Sequence, residues 1–192
     1  MGPTLRKSLM VFSLLLIILS SGCIGEKTTP TTPSTTSTST MATSSSTSRI
    51  TFPEDASPFG NLSLELKAPD CAFRWFKVTV IITNVGNNTV LTLRPINMIT
   101  LHFRLYGENG SELKYRGPVP TYLPLKDQDA VVLKAGDSLK RTFTLDTHFW
   151  TTENGTYTLV ALYDTSDIKA ETSKPVWRGT LNGKTKVTFG CS

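Results

Sequence analysis

An all-β antiparallel sandwich is what this sequence predicts for the larger part of its 192 residues. Three observations carry that expectation. Apolar and polar residues alternate with period two in several short runs, Gly, Asn and Asp cluster between those runs, and no segment sustains a helical period. About seven to nine short strands at this spacing describe a sandwich of immunoglobulin-like type.

The chain divides into three parts, residues 1–23, 24–50 and 51–192. In the first, Arg6 and Lys7 precede an apolar run at 9–19 (LMVFSLLLIIL) broken only by Ser13. As helix such a run rises about 16 Å against a hydrocarbon core of about 30 Å, which suits an export signal better than a membrane span. Leu19, Ser20, Ser21, Gly22 and Cys23 follow it. They resemble the lipobox of lipoprotein signal peptides, in which small residues admit the backbone to the peptidase and the Cys thiol takes up lipid. The resemblance implies that Cys23 is lipidated and anchors the mature chain to the outer face of the cell membrane. A plain cleaved signal or an uncleaved helical anchor is the alternative.

Residues 24–50 read as a stalk. Thr and Ser make up nearly all of 28–48, with Pro30 and Pro33 and no aromatic residue. Such a segment buries too little apolar surface to offset its conformational entropy. Ser/Thr tracts with Pro are commonly O-glycosylated, and a polyproline-like extension would reach about 65 Å from the membrane. An unmodified tether would give the same topology.

In 51–192 the alternation is clear at Phe76, Val78, Val80 and Ile82, with Lys77, Thr79 and Thr83 between them and Ile81 out of phase. It recurs at Ile99, Leu101, Phe103 and Leu105 against Thr100, His102, Arg104 and Tyr106, and at Leu139, Phe143 and Leu145 against Lys140, Thr142 and Thr144. Further runs lie at 157–163 and 184–189. Turn chemistry falls at 85–88, 107–110, 135–137 and 153–155, and Asn182-Gly183 predicts a two-residue hairpin between 177–181 and 184–189.

With Cys23 assigned to lipid, Cys71 and Cys191 remain as an even pair flanking the β domain, and they are expected to form a disulfide outside the cytoplasm. Asn61, Asn87, Asn109 and Asn154 head four Asn-x-Ser/Thr sequons, most of them on expected turns. A lipobox together with N-glycosylation sequons suggests an archaeal-type surface protein.

The net charge of +5 comes from cations spread singly along the strands, which argues against a nucleic-acid arm or a polybasic membrane patch. His102 and His148 have no His, Cys, Asp or Glu at metal-ligand spacing; His102 is expected in solvent and His148 packed in a loop. No nucleophile-elbow, Cys-His or phosphate-loop motif is present, so no catalytic residue, metal or cofactor is assigned. Asp127 with Asp129 and Asp164 with Asp167 suit loop capping better than Ca²⁺. Of Trp75, Trp150 and Trp177, at least two are expected in the core.

Residues 78–84 (VTVIITN), 101–115 (LHFRLYGENGSELKY), 131–145 (VVLKAGDSLKRTFTL) and 154–163 (NGTYTLVALY) together resemble the BsuPI-type domain, an immunoglobulin-like module named for an intracellular proteinase inhibitor. The resemblance spans about ninety residues and is architectural, so no inhibitory residue follows from it. The Pro-rich segment 116–130, with Arg116, Pro118, Pro120, Tyr122, Pro124, Lys126, Asp127 and Asp129, is the candidate binding loop; a Pro-stiffened crossover between sheets is its alternative. The expectation is a non-enzymatic surface module that binds an extracellular protein or glycan, with a peptidase inhibitor or an accessory subunit of a transporter or surface enzyme as alternatives.

Overall fold

The computed structural model describes residues 50–121 and 124–191; Cys23, Tyr122 and residues 1–49, which hold the expected export signal and nearly all of the expected stalk, lie outside them. The described chain forms strands β1 (Leu62–Lys67), β2 (Cys71–Ala72), β3 (Trp75–Asn84), β4 (Val90–Leu93), β5 (Leu101–Tyr106) and β6 (Glu112–Leu113). It continues with β7 (Leu125–Lys126), β8 (Ala130–Leu133), β9 (Ser138–Asp146), β10 (Gly155–Asp164), β11 (Ala170–Glu171) and β12 (Thr180–Phe189). Two turns of 3₁₀ helix, Asp127–Asp129 and Thr147–Phe149, complete the described elements.

The fold is an all-β sandwich of immunoglobulin-like type. One sheet has the order β1-β3-β9, and the other β2-β12-β10-β5-β6. All pairings in these sheets are antiparallel except β2 with β12. The alternation read in β3 is realised directly, with Phe76, Val78, Val80 and Ile82 buried and Lys77 exposed. These side chains meet Leu101, Phe103 and Leu105 of β5, Leu159 and Ala161 of β10, and Val187 and Phe189 of β12 in one core cluster. The out-of-phase Ile81 lies half-buried on the outer face, in register with Glu65 and Lys140.

A smaller pair, β4 with β8, lies between this core and a second apolar cluster of Phe52, Leu91, Leu93, Leu125, Ala130 and Val176. That position explains why every residue of β4 is buried. Val90 serves the main core, whereas Leu91 and Leu93 serve the second cluster. Tyr163 ties the two together: its hydroxyl donates to the Leu93 carbonyl at 2.6 Å and lies 2.8 Å from the Thr92 hydroxyl. Its ring stacks on Trp177 at 6.1 Å, and burial pushes the phenol far above its ordinary pKa. Asn84, fully buried at the end of β3, donates to Asn88 and Leu133 carbonyls and accepts from the Gly86 N–H, so the turn after β3 is held by one amide.

Two sequence expectations are corrected here. Asn182-Gly183 is not a hairpin: β12 runs unbroken through it, with Asn182 opposite Leu162 and Gly183 opposite Ala161. Gly183 is absent from the positive-φ glycines, and a Cβ there would lie 2.5 Å from Leu64 Cδ2 and 3.2 Å from the Leu64 O and Leu66 N of β1. The glycine is present for close approach of two strands, a role that local sequence cannot distinguish from turn formation. Thr100, expected on a polar face, is fully buried in the turn before β5. Its hydroxyl accepts from Ile96 N–H at 2.8 Å and donates to the Arg94 carbonyl at 2.7 Å, which satisfies the group without water.

Cys71 and Cys191 are bonded, with their Cα atoms 5.9 Å apart and a separation of 120 positions in sequence. The bridge joins β2 to the chain just beyond β12, beside the parallel pairing of Thr188 with Cys71 and Phe189 with Ala72. Trp150 and Trp177 are buried, so two of the three tryptophans lie in the core as expected, and Trp75 is exposed.

Candidate functional site

The disulfide end of the sandwich holds an open cleft of about 510 Å³. Its walls come from four separate stretches: Ala72, Phe73 and Arg74 after β2; Arg116; residues 147–154 between β9 and β10; and Phe189 with Gly190 at the end of β12. Backbone bonds fix these stretches against one another. Thr147 N–H donates to the Arg74 carbonyl at 2.9 Å, and Arg116 N–H donates to the Phe149 carbonyl at 2.7 Å. Beneath the floor, Tyr115 packs edge-on against Phe149 and Trp150 at 5.7 and 5.5 Å. Tyr157 Oη accepts from the Glu153 N–H and donates to the Glu153 carbonyl, closing the turn that carries Glu153 and Asn154. Gly190, with φ +69°, lies so close to Asn154 that any Cβ would displace the amide.

One charged side chain in this region is buried. Asp146, at the end of β9, caps the 3₁₀ turn by accepting from His148 N–H at 2.9 Å, and it contacts His148 Nδ1 at 2.9 Å. Arg74 Nε lies 3.8 Å from its other oxygen. Burial alone would raise this carboxyl, but the hydrogen bonds from His148 and the charges of His148 and Arg74 outweigh it and hold Asp146 below the usual carboxylate range. The His148 side chain is 69% exposed, so it stands in the cleft mouth rather than packing in a loop as the sequence suggests. An oriented Asp-His pair is part of an acid–base relay. Here the cleft hydroxyls of Thr147, Thr151 and Thr152 make no hydrogen bond to the ring among the described residues.

The candidate loop at 116–130 is only partly what the sequence suggests. Arg116 lines the cleft, and Pro118 and Pro120 are exposed around Val119. From Leu125 onward the segment is built into the fold: β7 pairs with β11 in parallel, Pro124 is half-buried beside it, and Lys126 projects outward. Asp127 accepts from Ser173 N–H at 2.6 Å, and Asp129 accepts from Lys126 N–H at 2.9 Å. Both carboxylates are therefore capping groups, and this half of the segment is a crossover held by the second apolar cluster.

Asp164 likewise accepts from the N–H and hydroxyl of Ser166, and chiefly for that reason its carboxyl lies below the usual range. It shares a shallow cleft with His102 and Asp167. Among the described residues no group of three or more His, Cys, Asp or Glu side chains is placed to hold a metal ion. The sequon residues Asn61, Asn87, Asn109 and Asn154 are all exposed, and Asn154 stands on the cleft wall. Sequence reasoning missed Phe73, Arg74 and Glu153 as site residues. The available signal was an aromatic and basic cluster, Phe73-Arg74-Trp75, placed directly after the disulfide Cys71.

No family model and no curated protein matches the chain. Among solved structures, a CARDB domain from Pyrococcus furiosus in complex with di-metal ions is similar at 18% identity and TM-score 0.36, covering 70% of this chain and 96% of that one. A mutant β-glucosidase from Listeria innocua in complex with laminaribiose is similar at 14% identity and TM-score 0.36, covering 69% of this chain and 16% of that one.

Proposed function

We propose that this protein is a lipid-anchored, surface-displayed interaction module that performs no reaction of its own and holds an extracellular partner in the cleft at its disulfide end. The observation that carries the reading is the assembly of Phe73, Arg74, Arg116, His148 and Glu153 from three chain segments around one concavity, on a frame fixed by a disulfide and backbone bonds. Recognition sites are typically concave, and loops positioned by a rigid scaffold carry them. Cys23 supplies the anchor, the Ser/Thr segment the stalk, and the exposed sequons the sites of glycosylation.

Two experiments test the two halves of this reading. Cys23→Ser should release the protein from membranes or leave the precursor unprocessed; unchanged processing and membrane retention would refute lipid anchoring. The full-length protein should capture a partner from solubilised membranes, and the double variant Arg116→Glu, Thr151→Arg should lose it without a change in melting temperature. Equal capture by that variant would move the binding site to a sheet face.

A second reading, peptidase inhibition as in the BsuPI-type resemblance, has one observation in its favour. Val119 is 70% exposed between two prolines, on a segment whose base is fixed by the Arg116 backbone bond and by the Tyr115 hydroxyl on the Pro118 carbonyl. Inhibition of a peptidase abolished by Val119→Asp would establish it. The role of accessory subunit in a transporter or surface enzyme is compatible with either mode of binding.

A further inference from the structure

We infer that the cleft takes a neutral saccharide, on the scale of one or two pyranose units of a glycan chain; this rests on the cleft being the partner site. The first ground is aromatic surface left in water. Phe73, on the cleft wall, is 67% exposed, and Trp75, the residue after the wall residue Arg74 and itself outside the lining, is 57% exposed. Arg74 lies between them in sequence, with its guanidinium 5.4 Å from the Trp75 ring centroid, which orders the indole. An exposed aromatic face on the wall of an open cleft of mixed lining suits a ligand with one apolar face and a polar rim, and a pyranose ring has that character.

The second ground is the hydrogen-bonding inventory. Thr147, Thr151 and Thr152 line the cleft, and their hydroxyls have no side-chain or backbone partner among the described residues. Arg116 adds a fork of donors. Such a mixture of donors and acceptors matches sugar hydroxyls, each of which is both.

Charge supplies the third ground and narrows the class. Arg74 and Arg116 are offset by Glu153 on the wall and by Asp146 beneath it, and His148 is already engaged with Asp146. A polyanion would find little net attraction there, and so would a cation. A peptide adding itself as a strand needs a free sheet edge. The free sheet edge at the walls is β2, which is only two residues long, so an extended peptide finds too short a ladder to join. The volume of about 510 Å³ lies within the range of small-ligand sites.

The test uses full-length protein from a host that does not glycosylate Asn, so that the Asn154 sequon on the cleft wall carries no sugar. An array of cellohexaose, maltohexaose, mannohexaose and chitohexaose, with polygalacturonate and short peptides as competitors, should show binding of at least one neutral oligosaccharide. That binding should change Trp fluorescence, resist added salt, and weaken on the order of tenfold in both Phe73→Ala and Trp75→Ala at unchanged melting temperature. Absence of neutral saccharide binding overturns the inference, as does unchanged affinity in both aromatic variants or a salt-sensitive preference for polygalacturonate or peptide. If Arg116→Glu, Thr151→Arg still captures the membrane partner, the underlying cleft reading fails. If that variant loses the partner while no neutral saccharide binds, only the saccharide class is wrong.

Discussion

Replacing Gly183 with alanine places a methyl group where β12 passes closest to β1. The new Cβ would stand 2.5 Å from Leu64 Cδ2 and 3.2 Å from two backbone atoms, Leu64 O and Leu66 N. The leucine methyl can move by a rotamer change. The backbone atoms cannot move without shifting Leu64 and Leu66, which are paired to Ile82 and Val80 in the β1–β3 ladder. Overpacking of this kind costs about 1 to 3 kcal/mol, against which a glycine-to-alanine change at an ordinary backbone angle recovers about 0.4 to 1 kcal/mol of unfolded-chain entropy. The net expectation is a loss of about 1 to 2 kcal/mol, or roughly 3 to 8 °C in melting temperature for a domain of this size. Gly136 provides the control for a glycine in a turn, because it has φ +82° and nothing within 4 Å of an added Cβ. There alanine meets backbone strain alone, at about 1 kcal/mol. Reversible denaturant unfolding of Gly183→Ala and Gly183→Val measures the effect, and valine should cost more than alanine because its extra methyl groups meet the same backbone. A neutral or stabilising Gly183→Ala would refute the close approach of β1 and β12.

Three further predictions follow from particular groups. Tyr163→Phe should cost about 2 kcal/mol, read as a lower denaturation midpoint at unchanged slope, because the buried Leu93 carbonyl and Thr92 hydroxyl lose their shared partner. Reduction, or the double change Cys71→Ser, Cys191→Ser, should lower stability by on the order of 4 kcal/mol, since the bridge closes a loop of 120 residues; two alkylatable thiols in the native protein would contradict the bond. The carboxyls of Asp146 and Asp164 are both held below their ordinary value of 3.8, so each contributes stability that is complete above that value and disappears as pH falls through the depressed native value. Asp146→Asn with Asp164→Asn should therefore flatten the loss of stability below about pH 4, and an unchanged acid-unfolding profile would show that neither carboxylate is paired as described.

The strands with one wet face were legible because their chemistry is local. In β3 the residue that faces the core and the residue that faces water differ at each step, so Phe76, Val78, Val80 and Ile82 declare their side directly. β4 was harder to place, because cover on both faces removes the alternation and leaves a short apolar run that only its neighbours can explain. The cleft was legible only in fragments. Cys71 and Cys191 announced a covalent link across the domain, but not that Phe73, Arg74 and Gly190 beside it would form walls of one concavity with Arg116 and His148.

The sequence by itself determined the all-β class, the alternation of the long strands, the pairing of the two domain cysteines and the capping roles of Asp127, Asp129 and Asp164, since each depends on residue type and near neighbours. Tertiary structure decided the rest. Only packing distinguishes a glycine that turns the chain from one that lets another strand approach, as at Gly183. Only the meeting of β2, β9 and the end of β12 converts four unremarkable segments into a cleft, because a concave site depends on distances between residues far apart in sequence.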